Sequence, residues 1–228
     1  MNDNFLTSHM DRAEIPVDSG HIFGNANIDN VEFDRMMMMY SGAIREVKTK
    51  LQVLNDELSV TRKRNPIEFI ETRIKTPESI ANKLNKRKLP LTCESVRKNL
   101  NDVAGVRVIC AFLDDIYQVA RMLEGQDDVE IIKTKDYINR PKKNGYRSLH
   151  LIVEIPVFFS DRKERVRVEI QIRTIAMDFW ASLEHSVKYK KNVRDAEDIV
   201  YELRACADVI NRTDIHMQSI RDKISYIE

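Results

Sequence analysis

The chain of 228 residues carries 43% hydrophobic and 32% charged residues, enough apolar material for a sizeable core without a disulfide or metal staple. Its 37 Lys and Arg against 36 Asp and Glu leave a net charge of +1, which excludes a uniformly basic DNA-coating protein but not a local basic pocket. Only 6 glycines and 6 prolines argue against linkers and disorder and in favour of long helices.

Residues 1–28 hold no sustained hydrophobic period and include Pro16, Gly20 and Gly24, so a loosely ordered arm is expected there. From 29 to 62, Phe33, Met36, Met37, Tyr40, Ile44, Val47, Leu51, Leu54 and Leu58 recur at steps of three and four, the stripe of an amphipathic helix. The run Met36–Met39 reads as adaptable core filling. Beyond Pro66, Ile70, Thr72 and Ile74 alternate with Glu71, Arg73 and Lys75, giving a strand with one polar face. Thr76-Pro77-Glu78 is a helix start, with Thr76 as N-cap and Pro77 at the first helical position. That helix sets Ser79 and Lys83 one turn apart, beside a stripe of Ile80 and Leu84.

A short helix over 92–100 precedes a strongly apolar strand from Gly105 to Phe112, expected at the centre of a sheet, which assigns Cys110 to the core. A helix over 114–124 and a strand over 128–135 follow, and Pro141 with Asn144-Gly145 makes 136–147 a loop. The alternating runs 148–159 and 165–173 form a hairpin around Ser160–Glu164. A helix over 174–190 comes next. The amphipathic stretch 195–228 is expected to break near Asn211–Asp214.

This order describes an α+β (mixed α/β) domain, a mixed sheet flanked by helices with long helices at both ends. The apolar stripes of the terminal helices exceed what one small sheet covers, so a helix-mediated oligomer is expected. Cys93, Cys110 and Cys206 form no CxxC pair and fit a reducing compartment. Neither a signal peptide nor a membrane-spanning run is expected.

Three features carry chemistry. Two strands each present a mixed basic and carboxylate stripe, Arg73 with Lys75 and Arg167-Glu169-Gln171-Arg173. In one cleft they would form an anion site, although alternation alone fits two unrelated solvent faces equally well. The segment from Lys135 to Arg147 holds five basic residues and one acid, Asp136, with Tyr137, Tyr146 and His150 interleaved or adjacent. Cations gather phosphates, an aromatic face stacks a base and Asn144 can read a base edge, so this is either a nucleotide cradle or a solvated basic turn. Asp102 and Glu169 are a carboxylate pair suited to Mg²⁺-assisted phosphoryl-type transfer, though each alone reads equally as a cap or surface charge. P-loop, Rossmann, zincin and nucleophile-elbow motifs are absent from the sequence.

The motifs Arg73-Ile-Lys75-x-x-x-Ser79-x-x-x-Lys83, Asp102-x-x-Gly105-x-Arg107, Lys135 to His150, Val168 to Thr174 and Trp180-x-x-x-Glu184-His185-x-x-x-Tyr189-Lys190 resemble the RelA/SpoT-type alarmone synthetase domain over about 66–190. The length and the absence of a His-Asp dipeptide resemble a stand-alone small synthetase, leaning toward the RelP type on Met177–His185. The resemblance implies a nucleotidyltransferase-like mixed sheet and a GTP/GDP pyrophosphokinase of the bacterial cytoplasm. Its reaction moves the β,γ-pyrophosphate of ATP to the ribose 3′-hydroxyl of GTP or GDP.

By the same resemblance, Asp102 binds Mg²⁺ and Glu169 activates the hydroxyl with a share in the metal. Arg73 and Arg107 sandwich adenine, and Lys75, Ser79 and Lys83 hold ATP phosphates. Tyr146 stacks on guanine while Asn144 reads its edge. Lys135, Lys142 and His150 meet acceptor phosphates, and Gln171 and Arg173 buttress the site. The implied organisation is an arm over 1–28, a synthetase domain over 29–192 and a C-terminal oligomerisation helix or helices over 193–228. The implied assembly is a homotetramer, with no DNA or membrane partner and RNA left open. Two rivals remain at this level: a relative using another acceptor, such as a different purine nucleotide or a tRNA 3′ end, and a non-catalytic nucleotide- or RNA-binding oligomer. The joint presence of Asp102 and Glu169 weighs against the second.

Overall fold

The alternating runs pair into one five-stranded mixed sheet in a computed structural model that describes residues 30–62, 65–189 and 196–225. The expected arm over 1–28 and the expected domain boundary at 192–193 lie outside the described residues. The strands are β1 (Ile67–Ile74), β2 (Ala104–Cys110), β3 (Glu130–Asp136), β4 (Leu149–Phe158) and β5 (Lys163–Thr174), in the order β1-β2-β5-β4-β3. The helices are α1 (Asn30–Arg62), α2 (Pro77–Lys86), α3 (Cys93–Asn99), α4 (Leu113–Glu124), α5 (Ile175–Tyr189) and α6 (Ala196–Ser225).

β2 is interior as its apolar sequence requires, but β5 takes the middle of the sheet, with β2 parallel to it and β4 antiparallel. The hairpin is tighter than its polar link suggests. Pairing of Phe158 with Lys163 carries β5 back to Lys163, leaving only residues 159–162 as the turn.

Strand parity separates the two faces of the sheet. Val166, Val168, Ile170 and Ile172 of β5 join Val106 and Val108 of β2 and Leu151, Val153 and Ile155 of β4 in the main core. Helix α1 lies against β1, β2, β4 and β5 and contributes Met36, Ala43, Val47 and Leu51 to that core. Ile116, Val119 and Leu123 of α4 complete it. Met36, Met37 and Met39 are buried, in keeping with core filling, whereas Met38 is exposed. Cys110 is fully buried.

Local signals start α2 as the sequence implies: the Thr76 hydroxyl oxygen accepts the Ser79 backbone N–H at 3.3 Å, with Pro77 at the first helical position. The expected break in the C-terminal helix does not occur; α6 runs unbroken through Asn211–Asp214. Two hydrogen bonds absorb its polar residues. The Thr213 hydroxyl donates back to the Val209 carbonyl at 3.1 Å, and buried Asp214 accepts the Thr174 hydroxyl at 2.7 Å. Arg221 then docks the far end of α6 on α4 through two 2.7 Å bonds to Asp114.

Leu51 is fully buried under the sheet, whereas Val60 on the same helix is 82% exposed. Leu51→Ala should therefore cost about 2–5 kcal/mol. Val60→Ala should stay within about 0.5 kcal/mol. Urea unfolding of the two variants beside the parent checks the contrast.

Candidate active site

The polar face of the sheet is assembled by register. Across β1, β2 and β5, Arg73 pairs with Gly105 and Gly105 with Glu169, while Glu71 pairs with Arg107 and Arg107 with Gln171. Side chains of one parity on adjacent strands share a face, so the two stripes meet over a cleft of about 370 Å³. Arg73, Lys75, Asp102, Arg107, Glu169 and Gln171 all line it. Arg167 does not join them: it turns to Glu154, Asn101 and the Lys98 carbonyl.

Asp102 sits between two ammonium groups, with Lys83 Nζ at 2.5 Å and Lys75 Nζ at 3.0 Å from the same oxygen, Oδ2. Burial pushes its carboxyl up, but the hydrogen bonds and charges of Lys83 and Lys75 outweigh that and hold it below the usual carboxylate range. Its other oxygen, Oδ1, is buried without a hydrogen-bond partner. Lys83 reaches the site through Asp102. Ser79 stays at the start of α2, hydrogen-bonded to Thr76, outside the residues that line the cleft.

A second cavity, of about 410 Å³, opens on the other side of Glu169 and Gln171. Lys135, Tyr137, Lys142, Asn144, Tyr146, His150 and Glu184 form the rest of its lining. The loop between β3 and β4 supplies most of these, and Asp136 pins its start. That carboxylate accepts the backbone N–H groups of Ile138 and Asn139 at 2.9 and 3.0 Å and the Asn139 amide at 2.6 Å. Gly145 turns the loop at φ +89, and a Cβ there would fall 2.6 Å from the Ala207 Cβ of α6. This glycine therefore satisfies both a left-handed turn and the close approach of a helix.

Lys142 stands over two rings, 4.7 Å from the centroid of Tyr137 and 4.4 Å from that of Tyr146. The Asn144 amide donates to Glu184 Oε1 at 2.9 Å. His150, 6% exposed, lies between Glu169 Oε1, 3.3 Å from Nδ1, and the Tyr146 hydroxyl, 2.8 Å from Nε2. Arg173, also buried, donates to the Tyr146 hydroxyl and to Gln171 Oε1, both at 2.7 Å. Burial pushes Glu169 up, but hydrogen bonds from His150 and Gln171 prevail and hold it below its ordinary value.

A third cavity, of about 380 Å³, joins the two sides, bounded by Arg73, Arg107, Tyr146 and Arg173 from the sheet and loop and by Ala181, Ser182, Glu184 and His185 from α5. All the strand-borne candidates except Arg167 thus converge. Glu71, Asp178 and α6 had no assigned part in the site. The Asn-Gly turn signals Gly145, but nothing local signals Ala207 as its neighbour.

The family described as the region found in RelA / SpoT proteins matches residues 72–194. GTP pyrophosphokinase YwaC of Bacillus subtilis is 43% identical over 188 residues, which cover 82% of this chain and 90% of that protein. Among solved structures, small alarmone synthetase 1 of B. subtilis bound to its product pppGpp superposes with a TM-score of 0.77 at 35% identity, covering 85% of this chain and 98% of that one. Small alarmone synthetase 2 of B. subtilis gives a TM-score of 0.75 at 42% identity, covering 84% and 99%.

Burial pushes His150 below its ordinary value of 6.5, against the hydrogen bond and charge of Glu169; Arg173 and Lys142 push the same way as burial, and Tyr146 faces its other nitrogen. As pH falls below 6.5 the unfolded chain takes up a proton that the folded site refuses, so this group makes stability fall with pH. His150→Asn should flatten that slope. Unfolding free energies on either side of 6.5 measure it, and an equally steep fall in the variant would contradict the assignment.

Proposed function

The chain belongs to the RelA/SpoT family, and on that premise we propose that its two basic clefts receive ATP and a guanine nucleotide on opposite sides of Glu169. It is a GTP pyrophosphokinase, an alarmone synthetase that transfers the β,γ-pyrophosphoryl group of ATP to the ribose 3′-hydroxyl of GDP or GTP and releases AMP. The observation that carries the assignment of the clefts is that Glu169 and Gln171 line both of them. A carboxylate in that wall reaches a donor phosphate and an acceptor hydroxyl at once.

In the donor cleft, Arg73 and Arg107 offer flat guanidinium faces to adenine, while Lys75, with Lys83 and Ser79 behind it, offers charge to the phosphates. In the acceptor cavity, Tyr146 offers a ring to guanine and Asn144, tethered to Glu184, an edge. Lys135 and Lys142 face the acceptor's phosphates. His150 has a different surrounding from a phosphate ligand, since both ring nitrogens are engaged by Glu169 and Tyr146.

The donor set suits Mg²⁺. Asp102 Oδ1 is a buried oxygen without a hydrogen-bond partner, and Glu169 lines the same cleft. The described residues hold no group of three or more His, Cys, Asp or Glu placed for a metal, as fits an ion that keeps waters and substrate phosphates in its shell. Asp102 and Glu169 would hold it, and the ion would supply charge against the crowded phosphate oxygens. Glu169 takes the proton of the 3′-hydroxyl as that oxygen bonds to the β-phosphorus and the bond from the β-phosphorus to the α,β-bridging oxygen breaks. Its depressed pKa places proton uptake late, in a loose transition state. Much of the rate comes from holding the two nucleotides in line.

Glu169→Gln keeps the shape of the wall and removes the base, so the rate should fall by about 10²–10⁴-fold with nucleotide binding retained. The test is product formation from labelled ATP with GDP, GTP or no acceptor, with and without Mg²⁺. A folded parent that transfers to neither guanine nucleotide while binding both would favour another acceptor or a binding-only role.

A homotetramer in the cytoplasm completes the proposal. No described helix is long and apolar enough to cross a membrane. Ile175, Phe179, Leu183 and Val187 recur every four residues along α5 and are 40–61% exposed, and α6 adds exposed Tyr201, Val209, Ile215, Met217, Ile220 and Ile224. Bare apolar stripes of this extent call for a second copy. Light scattering should give four times the monomer mass, and Phe179→Glu should lower it; a monomer at working concentration would overturn the proposal.

A further inference from the structure

Asp178 lies in the first turn of α5 and belongs to neither stripe of the sheet. Its carboxylate accepts Arg173 Nη1 at 3.0 Å and stands 3.4 Å from Arg107 Nη1. The two arginines meet in the third cavity, but only Arg107 also lines the donor cleft, whereas Arg173 reaches the acceptor cavity through Tyr146 and Gln171. Arg107 lines the donor cleft and is about one-third exposed, with Glu71 as its other carboxylate at 2.9 Å. Arg173 is 4% exposed, and its second amino group holds the Tyr146 hydroxyl and the Gln171 amide oxygen. Its guanidinium carbon lies 5.2 Å from the centroid of the Tyr146 ring.

The helix turn that carries Asp178 is anchored, while its side chain is shared between two arginines. Thr174 caps α5 by accepting the Met177 backbone N–H at 3.1 Å while its hydroxyl donates to Asp214 of α6. One carboxylate on an anchored helix turn thus bridges the guanidinium proposed to meet the donor base and the guanidinium that orients the acceptor ring.

We infer that Asp178 is a positioning residue that couples the two nucleotide sites, so that each nucleotide binds more tightly when the other is present. The inference rests on the assignment of adenine to Arg107 and guanine to Tyr146. Free Arg107 is shared between Glu71 and Asp178. A base stacked on it fixes its plane, and with it the carboxylate that orients Arg173. Less freedom then remains for Arg173 and Tyr146 to lose when the acceptor base arrives, which makes the second binding event more favourable. Linkage requires the effect to be the same in both directions.

The experiment compares the dissociation constant of GDP with and without a saturating α,β-methylene analogue of ATP, and of that analogue with and without GDP, in Mg²⁺ buffer. The parent should show equal tightening in both directions, of about fivefold or more. Asp178→Asn keeps the shape and removes the charge, so coupling should fall toward one while each nucleotide alone still binds. Asp178→Glu restores the charge and should recover part of the coupling, an outcome that a purely structural role would not give.

A parent without coupling overturns the inference whether or not the variants fold. So does undiminished coupling in folded Asp178→Asn, or a loss as complete in Asp178→Glu as in Asp178→Asn. These failures, in a protein that makes product, fall on Asp178. A parent that makes no product from either guanine nucleotide falls on the proposed reaction instead.

Discussion

The parallel pairing of β2 with β5 is the constraint on which the site depends. Parallel neighbours keep residues of matching parity on one face in fixed lateral register. Here the pairing sets Gly105 beside Glu169 and Arg107 beside Gln171, so the acid of β5 meets the cations of β1 and β2. It also brings the C-terminal ends of β2 and β5 to the same edge. Helix α5 leaves from that edge and carries Asp178 to within reach of arginines from both strands. The apolar face secures the pairing, because Val106, Val108, Ile170 and Ile172 are buried in the same core.

Charge on the polar face is arranged in chains. Asp102 lies between Lys75 and Lys83, and Arg107 lies between Glu71 and Asp178, which continues to Arg173. A site built to meet two polyanions must hold many cations together, and interleaved carboxylates limit their mutual repulsion. They also fix side chains that would otherwise have to be ordered when a nucleotide binds, so less conformational freedom is lost at that step. Within these chains Asp102 Oδ1 and Arg107 Nε are buried without a hydrogen-bond partner.

Much of this was legible in the sequence, for physical reasons that differ by element. The helices α1 and α2 and the strand β5 announce themselves because burial on one face enforces a period, and β2 because its run is apolar throughout. Arg73, Glu169 and Gln171 were legible as a site because alternation puts them on the polar side and the family motifs quote them. Arg167 shares that parity but sits nearer the start of β5, where Glu154 and Asn101 claim it. The unbroken course of α6 was not legible: Asn211–Asp214 is locally poor helix, and the bond that steadies it comes from Thr174, 40 residues away. Asp178 and Ala207 were hidden for the same reason, since their roles exist only once α5 and α6 have docked.

Parity also limits how such a chain can change length. One residue inserted or deleted within β5 between Glu169 and Arg173 would put the strand on one side of the change out of phase with the other, so that the acid and the guanidinium would no longer share the polar face. The sheet carries register shifts at two places, between Ile67 and Phe69 of β1 and between Ile131 and Lys133 of β3. Both are on edge strands and away from the β2–β5 pair, where a bulge absorbs an extra residue before the ladder resumes. A change of length is therefore best absorbed in the edge strands and in the turn at 159–162, while β2 and β5 accept new side chains more readily than a new residue count.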